Sequence, residues 1–114
     1  MTININNQDI ELRYSLRIFL IYENITKSSL DYNNITMSNL IDLFYATIIG
    51  TLQHAKKDFI KYEDYLDWLD ENGGEKILAD FSTWFLNTIL AQQDIADNNI
   101  KEEKQKDETK QEKN

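Results

Sequence analysis

Asp64, Asp67 and Glu71 stand at i, i+3 and i+7, a spacing that gathers three carboxylates on one helical face with Asp70 beside them. Such a group is the raw material of a hard-cation site or of an acid/base pair. The spacing is equally that of a plain solvated face opposite Tyr65, Leu66 and Leu69, and the pattern favours this second reading. Specific work for this acidic face would more naturally be contact with a basic partner than metal binding. Other chemistry is sparse. His54 is the single histidine, on the flank of a predicted helix, and no cysteine exists for it to activate. The absence of cysteine also removes disulfides and thiolate metal sites, and suits a reducing compartment. No glycine-rich phosphate loop, HExxH or EF-hand spacing occurs. The expectation is a protein that is not an enzyme, with no catalytic residue, metal or cofactor.

Charge narrows the partners. The chain has 114 residues and a net charge of −8, yet the five lysines and five acids from Lys101 onward cancel. The negative charge therefore belongs to residues 1–100, and eight acids crowd between Asp58 and Asp80 against Lys61 and Lys76 alone. An acidic body repels a phosphate backbone, so direct nucleic-acid binding is not expected. The longest apolar run, Ile18–Tyr22, is far short of the roughly 20 residues that cross a bilayer. Residues 1–11 show no basic region leading into an apolar stretch, so neither a membrane span nor a secretion leader is expected.

The elements that would hold these residues are mostly helical. There is no proline and there are only three glycines, which favours helices over a turn-rich sandwich. The patterning predicts a mainly α fold: a small four-helix domain over 1–97 with a short extended N-terminal arm, then a disordered charged tail over 98–114. Residues 2–14 alternate apolar and polar positions around Asn6-Asn7, which reads as a strand, a hairpin, or an extended arm over the helices. Helices are predicted over about 15–27, capped by Ser15; 38–57, capped by Ser38 or Thr36; 62–72; and 75–93.

The last helix carries Ile77, Leu78, Phe81, Trp84, Phe85, Thr88, Ile89 and Gln92 on one face, and is expected to be the most buried element. Gly73-Gly74 before it marks a left-handed cap and chain reversal. In the second helix Ala46 and Gly50 permit close approach of a neighbour. In the third, Tyr62, Tyr65, Leu66 and Leu69 are expected inside, with Trp68 at the edge.

The first helix is apolar nearly all round. Tyr14, Ile18, Ile21, Tyr22 and Ile25 form one stripe, while Leu16, Phe19 and Leu20 fall on the other side. Such a helix is buried on two sides or meets another chain. Leu16, Phe19 and Leu20, with Trp68 if the fold brings it near, are the candidate partner-binding residues.

Two passages carry a family likeness: IELRYSLRIFLIYENITKSSL over 10–30, and FIKYEDYLDWLDENGG over 59–74 followed by Phe81, Trp84 and Phe85. In order and spacing, with the charged tail, they resemble the small tail assembly chaperones of long-tailed bacteriophages and prophages, across about residues 8–95. The resemblance implies a small helical protein of the bacterial host cytoplasm. It would hold the tape measure protein, help recruit the major tail protein, and leave before the virion is complete. Many members also exist in a frameshift-extended form, and the charged C-terminus here matches a short form. Two other readings compete. An acidic inhibitor that imitates DNA would need carboxylates spread at phosphate-like spacing, whereas here they are crowded. A generic helical adaptor would self-associate through the first helix.

Overall fold

The computed structural model describes residues 1–92. The predicted tail over 98–114, and the domain boundary at 97, lie outside the described residues. The described residues fall into two units, 1–84 and 85–92. Among the described residues are two strands and four helices, so the mainly α class is observed.

The N-terminal arm is a hairpin. Strands β1 (Thr2–Ile5) and β2 (Gln8–Glu11) pair antiparallel with Ile3 opposite Ile10 and Asn4 opposite Asp9. Asn6 and Asn7 both take positive φ, 54° and 63°, as a tight two-residue turn between right-twisted strands requires. Ile3, Ile5, Ile10 and Leu12 are buried on one face, and the Asn4 amide bonds the Asp9 carboxylate at 2.8 Å on the other. The chain then runs irregularly into α1 (Arg17–Thr26). Ser15 does not cap this helix: Leu16 stands at the N-cap without a side-chain bond, and only the Ser15 carbonyl is engaged, accepting from the Ile18 N–H.

Helix α2 (Met37–His54) begins on a capping box. Thr36 accepts from the Asn39 N–H, and the Asn39 side chain accepts from the Thr36 N–H. The helix stops before the predicted residue 57 because Lys56 turns left-handed at φ 57°. Lys56 and Lys57 donate back to the carbonyls of Gln53 and Leu52, the paired bonds of a Schellman ending built without glycine. Helix α3 (Tyr62–Glu71) ends at Asn72, and Gly73 follows it in the predicted left-handed conformation at φ 69°. Gly74 is required for a different reason, since a Cβ there would lie 2.8 Å from the Leu69 carbonyl oxygen. Helix α4 takes in residues 74–92.

The core of the first unit is centred on α2. Nine of its residues between Leu43 and Leu52 are buried, all but Tyr45, whereas the part of α4 in this unit buries Leu78 and Phe81. The expectation that α4 would be the most buried element is therefore corrected. Bulky apolar residues at one face make a helix amphipathic; burial on every face needs small ones as well. In α2 these are Ala46, Thr47, Gly50 and Thr51. The two threonine hydroxyls cost nothing unpaired, because Thr47 donates to the Leu43 carbonyl and Thr51 to the Thr47 carbonyl, each at 2.8 Å.

Phe44 joins the elements around α2. Its ring meets Phe81 edge-on at 4.5 Å, lies 5.8 Å from Tyr65 and stacks on Trp68 at 6.2 Å. Inside α3 the buried residues are Tyr65, Trp68 and Leu69, so the face is rotated from the one predicted. Tyr62 turns outward and gives its hydroxyl to Asp42 at 2.5 Å, and Leu66 is half-buried. In the second unit the described residues 85–92 are helical, with Phe85 buried, Leu86 and Leu90 exposed, Ile89 half-buried and Gln92 exposed.

Candidate partner-binding surface

Helix α1 is held to α2 along one face only. Ile18 and Tyr22 are buried, and the Tyr22 hydroxyl accepts from the Asn39 amide at 2.9 Å, tying the end of α1 to the start of α2. Near its N-terminus α1 crosses α2 at Gly50. A Cβ placed there would sit 3.5 Å from Ile21 Cδ1 and 3.6 Å from Ile18 Cγ1, so the predicted close approach is made at this residue.

The opposite side of α1 finds no such cover. Leu16 is 75% exposed and Leu20, one turn on, 70% exposed. Phe19 is half-buried, edge-on to Tyr14 and to Tyr32 with both centroids at 6.2 Å. Of the three residues predicted to dock a partner, two are presented outright and one is partly committed to its own aromatic cluster.

Trp68 does not join them, and its place among the docking residues is corrected. It is buried against Phe44 and Tyr65, and its indole N–H donates to the Asn4 carbonyl at 2.7 Å. A buried indole needs a partner for that N–H, and the hairpin supplies it from a segment far away in sequence.

Beside Leu20 runs a groove of about 610 Å³. Helix α1 lines it with Arg17, Leu20, Ile21, Asn24 and Ile25; α2 with Tyr45, Ile49 and Gln53. Phe59, 61% exposed, closes it from the link between α2 and α3. That link is fixed by alternation: Ile60 is buried with its carbonyl accepting from the Tyr45 hydroxyl at 2.6 Å, which leaves Phe59 facing out. Tyr45, Ile49 and Phe59 were not among the residues singled out in the sequence. The one available signal was an aromatic residue inside the polar run KKDFIK. No protein-family model, curated protein or solved structure matches this chain.

The acidic face forms as its spacing predicts. Asp64, Asp67 and Glu71 are exposed together and line a hollow of about 490 Å³ with Trp68, Asn72 and the hairpin residues Asn4, Asn6 and Asn7. Asp70 lies elsewhere, in a hollow of about 440 Å³ with Met37, Ile41, Leu66, Leu69 and Glu75. Among the described residues no group of three or more His, Cys, Asp or Glu side chains is placed to hold a metal ion. His54 is the exposed last residue of α2. No helix among the described residues is long and apolar enough to cross a membrane.

The chemistry available to the α1 side is burial. Each large apolar side chain fully covered there would contribute roughly 1.5–3 kcal/mol before the costs of association. No bond needs to be made or broken for that.

Proposed function

We propose that this protein is a non-catalytic tail assembly chaperone of a long-tailed phage or prophage. It binds the tape measure protein in the host cytoplasm, helps recruit the major tail protein, and is released before the virion is finished. The observation that carries this reading is the exposure of Leu16 and Leu20 on a helix otherwise engaged with the core. A holder of a long helical client needs apolar surface that tolerates varied sequence, and this surface is contributed by a helix whose own packing does not use it. The net charge of −8 supports the same reading, because it keeps a complex with a poorly soluble client dispersed. The likeness over residues 8–95 names the client.

Co-expression tests it directly. The chain should retain the tape measure protein encoded beside it, a very long, helix-rich reading frame. The double variant Leu16→Asp, Leu20→Asp should lose that retention with its helicity unchanged. Phe19→Asp is the less clean probe, since Phe19 also packs on Tyr14 and Tyr32. Undiminished retention by the double variant, or none by the wild type, sinks the proposal.

A further inference from the structure

The three hollows described above differ in charge. The hollow at the hairpin turn holds three carboxylates and the one beside α4 holds two, Asp70 and Glu75. The α1–α2 groove is lined by no carboxylate, and its single charged residue is Arg17. In sequence Phe59 follows Asp58 and stands between Lys56-Lys57 and Lys61, none of which lines the groove. In a chain of net charge −8, the most apolar of these three hollows is thus the one that offers a guanidinium and no carboxylate.

We infer that this groove seats an amphipathic helix of a partner protein, one that carries a carboxylate beside its apolar stripe and sets it against Arg17. The inference concerns the same side of α1 as the proposed function and rests on that reading only for the partner's identity. Shape supports it first. Tyr45, Ile49 and Gln53 recur every four residues, so the groove follows the α2 axis for eight residues, about 12 Å at 1.5 Å per residue. That length takes about two turns of a third helix, whose anchors at i, i+3, i+4 and i+7 would lie between Leu20 and Phe59 over the Ile49 floor.

Charge then selects the partner. An acidic helix is repelled by the carboxylates around Asp64 and accepted beside Arg17, so charge favours this site over the other two hollows. A second copy of the chain fits poorly. A two-fold interface sets the same patch against itself, and this patch offers Arg17 no carboxylate.

The experiment uses the full chain and two fluorescent synthetic helices of about 20 residues, long enough to form a helix once seated. Both carry leucines at i, i+3, i+4 and i+7; one has glutamates flanking the stripe and its twin has lysines. Fluorescence anisotropy at low salt should show the glutamate helix bound about fivefold more tightly or better. Arg17→Glu should invert that order, and Leu20→Asp should remove binding of both with an unchanged circular dichroism spectrum. Equal binding of the two helices, unaffected by Arg17→Glu, overturns the inference. So does failure of both helices to bind, including the case where sedimentation shows the chain pairing with itself and Leu20→Asp dissolving the pair.

The two readings part cleanly. If Arg17→Glu inverts the wild-type preference between the two helices yet the wild type retains no tape measure protein, the groove stands and the phage assignment falls. If tape measure protein is retained equally by wild type and Arg17→Glu while neither synthetic helix binds, the groove falls and the chaperone reading stands.

Discussion

Helices α1 and α2 look alike as strings, each apolar on most sides, and end in opposite surroundings. Between Leu43 and Leu52 α2 buries every residue but Tyr45, while α1 buries Ile18 and Tyr22 and leaves Leu16 and Leu20 in solvent. The difference lies in residue size. Small residues in α2 let neighbours approach from several directions, whereas α1 is bulky on both sides and has one partner. Its surplus is not a packing defect; it is what remains when a helix with two apolar faces packs on α2 along only one of them.

The sharpest way to break this comparison is a matched pair of truncations. Phe44→Ala removes the ring that Phe81, Tyr65 and Trp68 share, and should cost about 3–5 kcal/mol in urea unfolding. Leu20→Ala, on the exposed side of α1, should stay within about 0.5 kcal/mol of the wild type. A comparable loss from Leu20→Ala would mean that the α1 surface belongs to the core.

Next in size is Thr51→Val, which keeps the shape of a buried side chain and deletes its hydroxyl. That oxygen accepts from the Arg13 N–H at 3.0 Å, joining the segment after the hairpin to α2. With it gone, the Arg13 N–H loses its partner in the fold, at a cost of about 0.5–1.5 kcal/mol for a part-buried bond. Equilibrium unfolding checks this, and Thr51→Ser, which retains the acceptor, should recover most of the loss.

How much of this was readable beforehand varies by element for physical reasons. The hairpin turn was visible in Asn6-Asn7 and the alternating isoleucines, because two-residue turns depend on residues that tolerate positive φ. The end of α2 was not, since Lys56 takes the conformation that glycine usually signals. The inner face of α3 was misphased by its tyrosines. A tyrosine counts as apolar in a periodicity, but Tyr62 stays exposed with its hydroxyl on Asp42 while Trp68 takes the inside position. The docking residues divided similarly: exposure of Leu16 and Leu20 followed from the surplus apolar face of α1, whereas Phe59 required knowing that Ile60 is pinned by Tyr45.

Tyr65→Phe sharpens the contrast from the side of the buried cluster. The fully buried Tyr65 hydroxyl donates to the Ile41 carbonyl at 2.7 Å, so its loss should cost about 1 kcal/mol at neutral pH. Burial first, then the neighbouring Tyr62 and Asp42, pushes the Tyr65 phenol well above its ordinary 10.0, and Tyr62 is pushed up to about 12. A phenol that holds its proton more tightly when folded stabilises fully below pH 10 and loses that contribution as pH climbs toward the folded value. The wild type should therefore weaken as pH rises above 10, and Tyr65→Phe should weaken less steeply over the same range. A steeper fall in the variant would contradict this placement of the hydroxyl.

The smallest expected effect probes the contact between the two helices. Gly50 is where α1 crosses α2, yet a Cβ there would meet Ile21, Ile18 and Arg17 only at 3.5–3.8 Å, which is ordinary van der Waals contact. Its φ is not among the positive ones. Alanine would then relieve the propensity cost of glycine in a helix, about 1 kcal/mol, without displacing α1. Gly50→Ala should match the wild type or exceed it by up to that amount in thermal unfolding. Gly74→Ala, which drives a Cβ to 2.8 Å from a backbone oxygen, should be the less stable of the pair. If Gly50→Ala were instead destabilising, α1 would sit on α2 more tightly than these distances allow, and the exposed side of α1 would owe its position to a strained contact rather than to a lack of neighbours.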